Sequence, residues 1–345
     1  MVRGLFVALI LLILPGCGRG DLSPSTESRT PPDLAGRFFP PSGWAWGWIQ
    51  VGAQPAQRYG VASTSRVPRA NVMILTGYGE SAETWFETVG DLTDQGYAVW
   101  VLERAGQGGS QRYVPPRDLG HTPSFDPDIA AAKAMVRQVV RRRSGVPVVL
   151  LGYADGAVVT LRAVEEGLQV DGMILVSLPS IMETPLASAG LLGRFVGADR
   201  RPPLGWRPWS RSTPDDRAHG LTHDSWRGAV NKAWQTANPD LRMSAPSAGW
   251  RAALVEANGA ARRVAGRIRN PLLITAAAPA EQRDRALCQA ISGCVLITLP
   301  GAGPALHLED DRWRAPWLVA VLGFIEARAD AARAVGNRRG TDHQR

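Results

Sequence analysis

From about residue 70 onward, short apolar runs alternate with stretches whose apolar residues recur at helical spacing. Val72 to Leu75, Tyr97 to Leu102, Val146 to Leu151, Gly172 to Ser177, Pro271 to Thr275 and Val295 to Leu299 are each bounded by turn residues. They predict strands buried in the middle of a layered structure. Between and after them, Glu83 to Gln95 (closed by Gly96), Asp128 to Arg142, Gln282 to Ala290 and Trp313 to Ala329 predict helices. Strands alternating with helices give an α/β class with a mostly parallel sheet covered on both faces.

The rhythm fails between about Met182 and Arg267. There Trp206, Trp209, Trp226, Trp234 and Trp250 stand among prolines and arginines with no strand in sight. An inserted helical cap over 182–267 is expected, its tryptophans fitting either a packed interior or an apolar groove. The core then comprises 42–181 and 268–330, about the size at which a single hydrophobic core still serves.

The ends carry a different signal. A short basic start, Met1 to Gly4, precedes an apolar run from Leu5 to Leu14, too short to span a bilayer and typical of a secretion signal over 1–16. Leu14-Pro15-Gly16-Cys17 resembles a bacterial lipobox, which implies cleavage before Cys17 and lipidation of that cysteine. Gly18 in place of aspartate implies, by the same resemblance, an outer-membrane anchor facing the periplasm. Residues 17–41 are rich in Gly, Ser, Thr and Pro and read as a flexible tether. Residues 331–345 read as a disordered basic tail.

Net charge is +8, mostly arginine, with a run at Arg141-Arg142-Arg143. This run reads as a solvated helix end, and no nucleic-acid partner is expected of an exported, anchored chain. Cys288 and Cys294 flank a helix-to-strand junction. They suit either a disulfide, in an oxidising compartment, or two buried thiols. Neither histidine nor further cysteine lies at ligand spacing, so no metal and no cofactor is expected.

The chemistry centres on Leu150-Leu151-Gly152-Tyr153-Ala154-Asp155-Gly156-Ala157. An apolar strand, two glycines around a tight turn and a following helix (Ala157 to Glu166) form the frame of a nucleophile elbow, which holds its middle side chain exposed above a sheet. That middle residue is alanine.

Leu75-Thr76-Gly77-Tyr78-Gly79-Glu80, Leu102 to Ser110, Gly120-His121 with Ser124-Phe125, the elbow, Leu221-Thr222-His223-Asp224 with Arg227, and Asn238 to Leu241 with Pro246 and Gly249-Trp250 follow one another in order. In these blocks the chain resembles the α/β-hydrolases grouped as lysophospholipases and monoacylglycerol lipases of the S33 type. The resemblance covers about Trp48 to Ala327. It implies a Ser-His-Asp triad, whose positions fall on Ala154 (serine), Ala280 (aspartate) and Pro304 (histidine), and an oxyanion hole near Gly77, Tyr78 and Asp155. Asp155 as nucleophile would leave Tyr153 where the turn wants a tiny residue. His307 reads as a packing or surface histidine, and Glu281 only neighbours the acid position. Ser210, Ser212 and His223 are candidates by residue type alone.

The resulting expectation is a lipid-anchored, non-catalytic hydrolase homologue of the cell envelope, binding a lipid or lysolipid or an envelope protein partner. Two alternatives stand beside it: an active ester hydrolase with a relocated nucleophile, and a scaffold lipoprotein.

Overall fold

The computed structural model describes residues 21–25, 27–63, 67–179, 192–263, 268–275 and 280–342. The expected signal segment, Cys17, the expected cap entry at 180–191 and residues 264–267 and 276–279 lie outside them.

Period-two alternation builds the core. Met73, Leu75, Val148, Leu150, Met173 and Leu175 point to one face of a sheet, and Val72, Ile74, Val149, Leu151, Ile174 and Val176 to the other. Both faces are covered, so the strands read as unbroken apolar runs. The strands are β1 (Ala45–Ile49), β2 (Gln57–Ala62), β3 (Asn71–Leu75), β4 (Ala98–Leu102), β5 (Val148–Tyr153), β6 (Gly172–Val176), β7 (Leu272–Thr275) and β8 (Val295–Thr298). They form one sheet in the order β1-β2-β4-β3-β5-β6-β7-β8, parallel from β4 to β8 and antiparallel where β2 meets β1 and β4. The α/β reading is therefore correct. The β1–β2 hairpin was not legible, because Trp46-Gly47-Trp48 offers little burial contrast.

Helices α1 (Phe86–Asp94), α2 (Asp126–Ala134), α3 (Asp155–Glu165), α4 (Ser225–Ala237), α5 (Ala248–Arg263), α6 (Ala280–Gln289) and α7 (Asp311–Asp342) cover the sheet and cap. The stretch expected as one helix to Arg142 changes after Ala134 into a π-helical segment, Met135–Val140. No helix among the described residues is long and apolar enough to cross a membrane.

Three boundaries move. Helix α5 contributes Trp250, Ala253 and Ala261 to the same core cluster as Val158 and Leu161 of α3, so the end of the expected cap is core. The supposed tether is docked from Asp21 on: Ser25 N–H donates to Gly109 O (2.8 Å), Arg29 N–H to Asn238 Oδ1 (2.7 Å), and Phe38 packs on Phe86, Val230, Trp234 and Leu241. Buried apolar side chains such as Phe38 make this segment part of the body. The expected basic tail is helical to Asp342, where Ala331, Ala332 and Ala334 are strong helix formers.

Cys288 and Cys294 are joined in a disulfide that ties the end of α6 to the start of β8. For so short a loop its stabilisation is about 2 kcal/mol.

Candidate active site

The elbow forms as its glycines require. A Cβ on Gly152 would lie 2.5 Å from Ala157 Cα, and one on Gly156 would strike Leu75 O, so strand and helix cross too closely for any other residue. The bend places Ala154 at φ 50°, ψ −121°, a region that costs a non-glycine residue about 1–3 kcal/mol. Ala154 is partly buried and presents a methyl group. Pro304 lies in the loop after β8, where its carbonyl accepts Ser177 Oγ–H at 2.8 Å. Ala280 opens α6, and the loop before it is outside the described residues. Glu281 pairs with Arg285 along that helix at 2.5 Å.

The oxyanion-hole positions are arranged differently from the expectation. Tyr78 N–H donates to Asp155 Oδ1 at 2.7 Å, and Gly77 N–H donates to Glu80 Oε2 at 2.9 Å. Asp155 is buried and its carboxylate is ion-paired to Arg104, which also binds Asp128 at 3.0 Å and stacks over Phe125 at 4.0 Å. A donor that would face a developing oxyanion is thus already engaged by a fixed negative charge. Burial also excludes Asp155 as a nucleophile.

Four of the five histidines are described. His307 is fully buried, stacked on Trp85 (3.8 Å between centroids, 4°) with Nε2 2.9 Å from Glu80 Oε1. His223 is half-exposed with Nδ1 2.8 Å from Glu309 Oε1. Glu309 is buried, and its carboxyl is held below the usual range despite burial by N–H donors of His223, Gly303 and Asp310. This pair rivets the cap to the loop that carries Pro304.

His121 Nδ1 lies 2.8 Å from Ser247 Oγ, and both are buried. Burial pushes His121 down to about 4, so the ring is neutral. Ser247 Oγ also accepts Trp250 N–H (3.1 Å) at the start of α5. Asp199 flanks the same ring: a methyl on Gly249 would meet His121 Cε1 at 2.9 Å and Asp199 Oδ2 at 3.0 Å. The sequence flagged Gly120-His121 only as a family block and missed this pairing, since its partners are 78 and 126 residues away.

Beneath the cap lies a cavity of about 780 Å³, within the size range of ligand sites. Trp206, Trp209, Leu221 and Met243 supply apolar wall, Asp215 and Asp216 supply acid, and Tyr78 with Gly79 forms the floor. Neither Ala154 nor Pro304 lines it. His219 does, but His223 does not. The cap tryptophans divide: Trp206 and Trp209 line the cavity, Trp234 and Trp250 are core, and Trp226 is exposed. The floor is fixed by Asn231 Nδ2 and Gln235 Nε2, which donate to Gly79 O at 3.3 and 3.2 Å.

Burial, and secondly Glu80, pushes the Asp216 carboxyl up from 3.8 to about 7. A raised folded-state pKa means that this group's stabilising contribution is full below pH 3.8 and fades as pH rises through 7. Thermal melts of wild type and Asp216→Asn from pH 4 to 8 are expected to show wild type losing stability relative to the variant as pH rises.

The model of the S33 serine aminopeptidase family matches residues 66–286. The chain belongs to this α/β-hydrolase family. No curated protein matches the chain. Among solved structures, this S33-family chain is similar to a soluble variant of monoglyceride lipase from Saccharomyces cerevisiae, in complex with a substrate analogue. That match has TM-score 0.64 and 16% identity over 89% of this chain and 98% of that one. It is also similar to the monoacylglycerol lipase of Paleococcus ferrophilus (TM-score 0.60, 17% identity over 79% of this chain and 99% of that one). A carboxyl esterase from Bacillus coagulans in complex with glycerol matches with TM-score 0.65 and 14% identity over 83% and 99%. At these identities the likeness is one of fold.

Proposed function

We propose that this S33-family chain is a non-catalytic, lipid-anchored hydrolase homologue of the cell envelope that holds a lipid-like ligand in the cavity beneath its cap. One observation carries the reading: the elbow presents Ala154, while the N–H of Tyr78 is bound to the Asp155 carboxylate. A hydrolase of this type needs an oxygen at the first position and a free donor at the second. In a comparable triad, loss of serine or histidine lowers kcat about 10⁶-fold. The apolar walls and the acidic pair of the cavity suit a ligand with a hydrocarbon body and a polar end.

The purified protein is to be assayed on p-nitrophenyl esters, lysophospholipids and monoacylglycerols. Turnover at the buffer rate, with an acyl lipid co-purifying and released by Trp209→Ala, supports the reading. Turnover well above the buffer rate ends it.

A second reading, a hydrolase with a relocated nucleophile, is favoured by the Ser247–His121 contact. Against it, Ser247 is sealed from solvent and its oxygen already accepts the Trp250 N–H of α5. Ser247→Ala is expected to lower stability by about 1 kcal/mol, as loss of an N-cap does, with no change in esterase signal. A fluorophosphonate adduct mapped to Ser247 would reverse the ranking of the two readings.

A further inference from the structure

The way the chain enters the body restricts how it sits on a membrane. Arg117 Nη1 donates to Asp21 O (2.6 Å) and Ser23 O (2.9 Å), and Arg112 N–H donates to Leu22 O (2.9 Å). Cys17 precedes Asp21 by four residues, a reach of about 14 Å when fully extended. A lipid on Cys17 would therefore hold the loop that carries Arg117 close to the bilayer.

The same loop positions one edge of the cap. Asp118 Oδ2 accepts Trp209 N–H at 2.5 Å, and Pro123 O accepts from Arg194 Nη2 at 3.0 Å. The chain between these two cap contacts includes Leu192 to Leu204 or directly adjoins it. Leu192, Phe195, Val196 and Leu204 are 72%, 89%, 77% and 107% exposed. These are four of the ten large apolar side chains most exposed among the described residues, gathered in thirteen positions. Arg200 and Arg201 stand exposed beside them. Apolar side chains next to exposed arginines, in a chain of net charge +8, complement an anionic lipid surface.

We infer that residues 192–204 form a docking face for an anionic bilayer, with Phe195, Val196 and Leu204 entering the interface and Arg200 and Arg201 at headgroup level. The orientation rests on the lipid-anchor reading of Cys17. The docking chemistry rests on the exposed side chains themselves. The anchor alone would leave the body free to tumble within its short reach, whereas a docked face fixes the cap toward the lipid.

The test uses the full chain reconstituted in vesicles, with an environment-sensitive fluorophore on Phe195→Cys or, as control, on the exposed Val319→Cys of α7. The signal of the parent chain is subtracted. In phosphatidylglycerol/phosphatidylcholine vesicles, a blue shift with quenching by spin-labelled lipid is expected at position 195 and not at 319. The shift should weaken in pure phosphatidylcholine and be lost when Val196→Ser and Leu204→Ser are added. A probe at 195 that stays in water on anionic vesicles overturns the inference. So does a shift that grows with protein concentration in detergent without lipid, which would assign the face to a second copy of the chain. Mass spectrometry of Cys17 is read separately: an unmodified cysteine overturns the anchor reading and leaves the docking result to stand by itself.

Discussion

Introducing a serine at position 154 is expected to yield no working hydrolase, even with Pro304→His and Ala280→Asp added. The reason lies one residue past the nucleophile position. Asp155 Oδ1 accepts the Tyr78 N–H at 2.7 Å, and Arg104, shared with Asp128, holds that carboxylate in place. An oxyanion formed at residue 154 would meet a carboxylate in place of a donor. Loss of a single oxyanion donor costs about 10²–10³ in kcat. The triply substituted chain should therefore gain about that factor when Asp155→Leu is also introduced, which frees the Tyr78 N–H and leaves Arg104 paired to Asp128. Fluorophosphonate labelling and hydrolysis of a p-nitrophenyl ester measure the step. A triple variant as active as the quadruple one would show that the Asp155 carboxylate does not obstruct the site.

The largest loss of stability is expected from Arg58→Leu. Arg58 is fully buried between Glu83 (2.8 Å) and Glu103 (2.6 Å) and stacks over Trp46 at 4.0 Å. Removing it strands two buried carboxylates, and breaking such a pair costs about 3–5 kcal/mol. Burial already pushes the Glu103 carboxyl up in the wild type, and Arg58 is the chief opposing influence. Without Arg58 the Glu103 carboxyl rises further. A raised folded-state pKa gives stability that is present at low pH and lost as pH rises. The deficit of Arg58→Leu should therefore shrink as pH falls from 7 towards 4, and Glu83→Gln with Glu103→Gln should recover part of it at pH 7. Denaturant melts across that range check both; a deficit independent of pH would assign the loss to packing. Arg58 Nη1 also lies 3.3 Å from Ser28 Oγ, so the variant is expected to loosen the docked N-terminal segment.

Much of the core was legible because its signals are local. Val72 to Leu75 and Val146 to Leu151 announce buried strands by composition alone, and Gly152 with Gly156 announces the elbow, since no other residue tolerates the crossing. What escaped was set at long range. Residues 21–41 look like linker by composition, yet Phe38 finds a pocket made by α1 and α4. The role of Asp155 depends on Arg104, which is 51 residues earlier in the chain. Ser247 becomes a histidine partner only when α5 folds back on the loop after β4. Patterning reports which face of an element is buried, but not which polar groups meet there.

The elbow's shape belongs to the packing of β5 against α3, and not to the residue at its apex. Its conformation and its chemistry are thus separable traits, since the residue at the apex can differ without disturbing the sheet. For sequence surveys this means that intact flanking glycines certify an architecture; competence has to be judged from the apex residue and from what its neighbouring amide is bound to.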